Sequence, residues 1–313
     1  MHKKIKLNNF VIINIIFVFL LSTFLIHQLI FFIITFHVKA ISTGELYVGG
    51  YEKSQREHCS KFGFNLQLLI IIPSDPKHFA ERAAIRNTWG RHARKLNVPT
   101  LFITGAVPDY LKPIFEVEEQ MHGDIIIGHF VDHYLTLTLK TISMVEWVRN
   151  HCHLVPKLLK VDDDVSVNIP KLMDFVINNN ASRTMWGNLQ EGISPRRVYN
   201  LKSYVSTKQY PGRVFPNYLS GPTYLLTTDV VKDILDAAPN EPYMPIEDVF
   251  ITGVLANKLG IHRKHIEGFC KDKTNDMCEV KSAISIHGVT HREQFEFWEK
   301  IVDAKMKCEP EGS

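Results

Sequence analysis

Three consecutive aspartates, Asp162-Asp163-Asp164, directly follow the apolar run Leu158-Leu159-Lys160-Val161 and precede Val165-Ser166-Val167. Side chains alternate across an extended segment, so Asp162 and Asp164 are expected on one side and Asp163 on the other. Carboxylates that close repel one another unless a cation lies between them. Hard oxygen ligands of this kind suit Mg²⁺ or Mn²⁺, which bind through one or two carboxylates and keep other positions for water and substrate phosphates. A triple Asp can also be a solvated acidic turn or a helix cap; the strand-like segments on both sides favour the ligand reading. A second acidic pair, Glu247-Asp248, follows Pro245 and precedes the apolar pattern Val249, Phe250, Val254, Leu255, which places it in the first turn of a helix. There the acids could merely favour the positive helix end, by ~0.3–1 kcal/mol. One of them could instead take the proton from an attacking hydroxyl.

The elements that must position these groups alternate in type. Near-continuous apolar runs at Leu66–Ile72, Thr100–Thr104, Asp124–Ile127 and Leu158–Val161 read as strands buried on both faces. Pro73 ends the first of them and Gly105 the second. Helical patterns run from about Lys77 to Arg91 and from about Leu135 to Arg149, with an acidic helix before Asp124. Strands alternating with helices imply an open α/β sheet with a mostly parallel core, and ligands bind outside the carboxyl ends of such strands. The aspartates sit at such an end. Residues 183–222, rich in Pro, Gly, Tyr and Arg, are expected to form short strands and long loops around the second substrate. In them Ser220-Gly221-Pro222 reads either as a turn that lets backbone approach a sugar or as a plain loop.

From Leu7 to Val38 there is no Asp, Glu, Lys or Arg, and Lys3, Lys4 and Lys6 precede this run. A spanning helix needs ~20 predominantly apolar residues. The run is long for a cleaved signal peptide, whose apolar region is usually ~7–15 residues. It is therefore expected to be an uncleaved type II anchor, with the following chain lumenal under the positive-inside rule. The expected organisation is a cytoplasmic tail (1–6), the anchor (7–38), a stem (39–64) and a catalytic domain (65–313). The 313-residue chain is 45% hydrophobic and 22% charged with net charge +3, ordinary globular values that give no reason to expect a nucleic acid partner. Its five cysteines, Cys59, Cys152, Cys270, Cys278 and Cys308, suggest one or two bridges in an oxidising lumen, with Cys270 and Cys278 the nearest local pair. Asn180-Ala181-Ser182 is a glycosylation sequon in a polar stretch.

Five motifs occur in an order that resembles the β-1,3-galactosyltransferase family. They are Arg82-Ala83-Ala84-Ile85-Arg86-Asn87-Thr88-Trp89-Gly90, Asp132–Thr141, Lys160–Val165, Tyr218-Leu219-Ser220-Gly221-Pro222-Thr223-Tyr224 and Glu247-Asp248-Val249-Phe250. The resemblance spans about residues 66–290. It implies a GT-A fold of the Rossmann-like, nucleotide-sugar-binding kind, a UDP-sugar donor, Mn²⁺, inversion at the anomeric carbon, a glycan acceptor on protein or lipid, and a Golgi membrane location. By the same resemblance Asp164, Asp162 and the late His287 would hold the metal, and Asp163 would belong to the donor-phosphate motif. Asp248, with Glu247 beside it, would supply the base. Arg82, Arg86, Asp132, Lys140, Ser220 and Gly221 would line the donor pocket, and a homodimer is among the expected partners. Thr136 stands where the family usually has Asn, Lys202-Ser203 where Lys-Trp is common, and Leu219 where a Cys is frequent; none of these touches the metal or base positions.

Two other function classes compete. A catalytically silent lumenal lectin or assembly partner would tolerate loss of an acid at 162, 164 or 248, and all three are present. A membrane-tethered metal hydrolase would want several His and Asp ligands spaced for two metals, and only the triplet and His287 offer themselves.

Overall fold

The computed structural model describes residues 18, 20–23, 25, 26, 40–199 and 201–303. Contacts divide the chain into Met1–Ile41 and Ser42–Ser313. In the first unit the expected anchor, Leu7–Val38, lies largely outside the described residues. Among the described residues no helix is long and apolar enough to cross a membrane.

The second unit is built on an eight-stranded sheet. Its strands in chain order are β1 (Tyr51–Lys53), β2 (Leu69–Pro73), β3 (Thr100–Ala106), β4 (Ile125–Val131), β5 (Lys157–Val161), β7 (Thr184–Gln190), β8 (Tyr218–Thr227) and β9 (His262–His265); β6 (Val165–Val167) pairs instead with β10 (Ser285–His287). The order is β1-β4-β3-β2-β5-β8-β7-β9. The core quartet β4-β3-β2-β5 is parallel, while β1 and β8 join it antiparallel. This is the mostly parallel α/β sheet that the alternation of runs and helices implies.

Strand periodicity divides the core into two layers. Leu69, Ile71, Leu101, Ile103, Ile126 and Leu158 pack on one face, and Ile70, Ile72, Phe102, Ile125, Ile127 and Leu159 on the other. Helices α1 (Phe79–Asn87), α2 (Trp89–Lys95), α3 (Lys112–His122) and α4 (Leu137–His151) connect the parallel strands. Trp89 is a core anchor, fully buried with its indole N–H donated to Gln294 Oε1 at 3.2 Å.

Three local expectations are corrected. The helix expected over Lys77–Arg91 is two helices, broken at Thr88, where φ −112° and ψ −120° leave helical space. A Cβ at Gly90 would lie 2.7 Å from the Ile85 carbonyl oxygen, so only glycine permits the close approach after the break. Gly105 does not end β3, which runs on to Ala106. It lies where a Cβ would come within 2.5 Å of the Phe130 carbonyl oxygen, so strands β3 and β4 meet there without a side chain between them. Cys270 and Cys278 do not pair: Cys270 is a buried free thiol, Cys278 is disulfide-bonded elsewhere, and Cys59 bridges Cys152.

Much of the stretch read as a stem is folded onto the sheet. Strand β1 pairs with β4, Thr43 N–H donates to the Glu241 carbonyl at 2.8 Å, and the Tyr47 and Tyr51 hydroxyls both donate to Glu146. Asn180 is exposed in the loop after helix α5 (Ile169–Asn178).

Candidate active site

Strand β5 ends at Val161, and the three aspartates form a tight turn rather than a continued strand. Val165 N–H donates back to the Asp162 carbonyl at 3.3 Å. The expected alternation of faces is therefore replaced by three separate partnerships. Asp162 Oδ1 lies 2.5 Å from Lys160 Nζ, Asp163 Oδ2 lies 2.8 Å from His78 Nδ1, and Asp164 Oδ2 lies 3.3 Å from His287 Nε2. The last contact follows from strand pairing: β10 runs antiparallel to β6 with His287 opposite Val165. Burial pushes the Asp164 carboxyl up, but the hydrogen bond and charge of His287 outweigh it and hold the group low. His287 is raised by the same hydrogen bond, against the opposing effect of burial.

Among the described residues no three His, Cys, Asp or Glu side chains form a metal-ligand cluster. The pair Asp164 and His287 nevertheless fits a divalent ion that keeps positions for water and phosphate, since one carboxylate and one imidazole are within reach of each other and partly exposed. The nearest further acid, Asp162, is already paired with Lys160.

The other half of the site comes from strand β8 and the helical run that begins at Glu247. That run contains a π-helical stretch over Val249–Leu255, a feature frequent at functional sites. Asp248 is half-buried; its Oδ2 accepts from Gly221 N–H at 3.0 Å and its Oδ1 from Val249 N–H at 2.8 Å. Burial raises its carboxyl, and the two backbone hydrogen bonds pull it back down in part. Glu247 is fully buried, accepts from the Tyr224 hydroxyl at 2.6 Å and lies 3.7 Å from Lys160 Nζ. Burial dominates its titration and pushes it up to about 7, against the pull of Lys160. Tyr134 and Tyr218 lie near enough to Asp248 for its charge to raise their hydroxyls, after the larger effect of burial.

Lys160 links the two halves. It has no exposed surface, pairs with Asp162, donates to the Gly221 carbonyl at 2.7 Å, and sits 5.7 Å from the Tyr224 ring centroid. Burial alone would lower its ammonium, but the Asp162 and Glu247 carboxylates hold it above its ordinary value. Sequence reasoning missed Lys160, Tyr224 and His78 as site residues. The available signal was a lysine inside an otherwise apolar buried strand, which demands paired acids.

The remaining expected residues divide. Lys140 Nζ bonds Asp132 Oδ1 at 2.7 Å and the Ser74 carbonyl at 2.8 Å, and Asp132 Oδ2 accepts from Gly105 N–H at 2.8 Å. These two residues brace the carboxyl ends of β2, β3 and β4. Arg82 is fully buried and donates to Ser74 Oγ, to the carbonyls of Asp75 and Pro76, and to Glu118. It thereby fixes the loop that carries His78 to Asp163. Ser220 and Gly221 belong to the site, with the Cys270 thiol 3.8 Å from Ser220 Oγ. Arg86 is not brought to it. Its guanidinium is taken by Glu118, which it shares with Arg82, and by Asp124, the residue that precedes β4.

A family model described as Galactosyltransferase matches residues 80–267. The chain belongs to this family. The Galactosyltransferase match takes in the aspartate turn, Ser220-Gly221 and Glu247-Asp248, and leaves His287 outside it. Among curated relatives, the chain is 30% identical to β-1,3-galactosyltransferase 4 of Rattus norvegicus over 75% of this chain and 72% of that one. It is 29% identical to β-1,3-galactosyltransferase 5 of Homo sapiens over 78% and 81% respectively. It is 28% identical to N-acetyllactosaminide β-1,3-N-acetylglucosaminyltransferase 4 of Mus musculus over 80% and 77%. The Galactosyltransferase kinship thus includes hexosyltransferases named for different donor sugars. Among solved structures, the galactosyltransferase LgtC in complex with donor and acceptor sugar analogs aligns with a TM-score of 0.41 and 10% identity over 78% of this chain and 98% of that one, a likeness too low to argue from.

Proposed function

We propose that this chain is an inverting glycosyltransferase that moves a hexose or N-acetylhexosamine, galactose first among them, from a UDP-sugar in β-1,3 linkage onto a glycan acceptor. The observation that carries the reading is the joining of the aspartate turn to Asp248 through Lys160 and Gly221. It sets an acidic, phosphate-facing strand end beside a carboxylate that can accept a proton. Asp248 is the base in this reading, because it keeps exposed surface, whereas Glu247 is sealed against Tyr224 and Lys160. The acceptor hydroxyl gives its proton to Asp248 as it attacks the anomeric carbon and the UDP oxygen departs. Mn²⁺, which Asp164 and His287 would hold with Asp162 adjacent, supplies charge neutralisation on the leaving diphosphate when bound. Lys140, Asp132 and Arg82 keep the strand ends that frame the donor pocket in register.

The apolar run Leu7–Val38 supports a single-pass type II anchor in the Golgi membrane, with the catalytic unit lumenal. The test is a screen of UDP-Gal, UDP-GlcNAc and UDP-GalNAc with Mn²⁺ against an acceptor panel, using wild type and Asp164→Ala. Transfer from one donor, abolished in the variant, is expected. A chain that neither binds UDP with Mn²⁺ nor turns over any of the three donors would overturn the reading.

A further inference from the structure

A depression of about 510 Å³ is lined by Arg86, Asn87, Arg91, Arg94, Lys95 and His122, none of which belongs to the aspartate turn or its partners. Arg86 pairs with Asp124, which precedes β4, while Asp162 follows β5 and Ser74 follows β2. Strands β3 and β2 lie between β4 and β5, so three strand spacings, about 14 Å at ~4.8 Å each, separate them.

Three elements converge on this depression: the end of α1, the outer face of α2 and the last turn of α3. Basic residues in a last helical turn are ordinary on any one helix, since they favour its negative end. Arg91, Arg94 and Lys95 all lie on α2, and Arg86 and His122 enclose the depression from α1 and α3. The two nearby acids, Glu118 and Asp124, are already bound by Arg82 and Arg86. Among the described residues no carboxylate lies within ion-pair distance of Arg91, Arg94 or Lys95. Arg94 is held in place by a 2.8 Å bond to the Arg86 carbonyl, so one guanidinium is oriented before any ligand arrives. Burial lowers Arg94, Asp124 opposes this, and Arg86 and Arg91 add to the lowering. His122 is lowered first by burial and then by Arg86, with Asp124 and Glu118 opposing.

We propose that this depression is a second binding site, distinct from the donor pocket, that takes a tetrahedral oxyanion: the phosphate or sulfate group of a ligand held by Arg91, Arg94 and Lys95. Forked guanidinium donors suit such oxygens, and charge-assisted bonds of this kind are the strong ones.

The experiment uses the full chain in neutral detergent at low ionic strength without Mn²⁺. Sodium phosphate and sodium sulfate are titrated calorimetrically in separate arms, with sodium chloride as control, and the His122 pKa is followed by NMR. Saturable binding of at least one anion is expected, with a rise in the His122 pKa as the bound charge offsets its cationic neighbours. Binding only in the phosphate arm would assign a phosphoryl ligand, and only in the sulfate arm a sulfated one. Arg91→Ser combined with Lys95→Ser should weaken binding about tenfold or more while sugar transfer is unchanged. Asp164→Ala should leave anion binding intact, which separates this site from the donor pocket. The proposal is overturned if neither anion binds saturably, if the double variant binds as tightly as wild type, or if Asp164→Ala removes the binding.

Discussion

Lys160 and Asp248 hold the two backbone polar groups of Gly221: the ammonium donates to its carbonyl at 2.7 Å, and the carboxylate accepts from its N–H at 3.0 Å. A single residue without a side chain therefore spans the gap between the aspartate turn and the proposed base. Lys160 is also the cation that faces both Asp162 and Glu247.

Lys160→Met leaves two carboxylates without that partner. Breaking a buried pair by removing one member costs about 3–5 kcal/mol, so a large fall in melting temperature is expected. Adding Glu247→Gln removes one of the stranded charges and should recover part of the loss. A double variant less stable than Lys160→Met alone would show that the pairing does not act as described.

Gly221→Ala tests the spacing of the base. A Cβ there would lie 3.1 Å from Asp248 Oδ2 and 3.3 Å from its Cβ, so the carboxylate must give way. Small displacements of a reacting group cost up to about 100-fold in rate. We expect kcat to fall by one to two orders of magnitude, in line with that figure, with the Kd for UDP little changed. Steady-state kinetics and UDP titration separate the two effects; an unchanged kcat would dissociate Gly221 from the base.

Asp248 and Glu247 should part company in their variants. Asp248→Asn is expected to reduce transfer by about 10²–10⁴-fold while UDP binding survives. Loss of UDP binding instead would count against its role as base. Glu247 should show itself through stability. Its carboxyl rises from 4.5 to about 7 on folding, so the folded state holds the proton more tightly than the unfolded one. Stability is then highest below pH 4.5 for this group and declines as pH rises towards 7, by roughly 3 kcal/mol at full deprotonation. Urea unfolding of wild type and Glu247→Gln between pH 4.5 and 8 measures this, and the variant should lack that component of the slope.

The Cys59–Cys152 bridge closes a separation of 93 residues. Cys59→Ser should cost about 2–4 kcal/mol, read as a lower unfolding midpoint under non-reducing conditions. A reductant should bring wild type towards the variant; equal midpoints before reduction would contradict the contribution.

The parallel core was legible because each strand is a compact apolar run, buried on both faces and separated by helical spacing. The aspartates were legible as a strand-end motif, and Asp248 as a first-turn acid. Their individual partners were not. His78 and His287 reach Asp163 and Asp164 across 85 and 123 positions of chain, through a loop fixed by Arg82 and a strand pairing that local pattern does not encode. Arg86 shows the converse. Its motif suggested the donor pocket, yet one helical turn beyond Arg82 its guanidinium is used up by Glu118 and Asp124. The segment before Asn65 looked structureless because a three-residue edge strand is too short to show periodicity.

That edge strand bears on how the protein can be shortened. Trimming to Asn65, where the apolar runs begin, would delete Tyr51–Lys53 and Cys59 together, baring the outer backbone of β4 and leaving Cys152 as an unpaired thiol. An uncovered strand edge recruits other chains, so such a truncation should precipitate or form mixed oligomers. A secreted version begun near Ala40 keeps the cover in place and should remain dispersed.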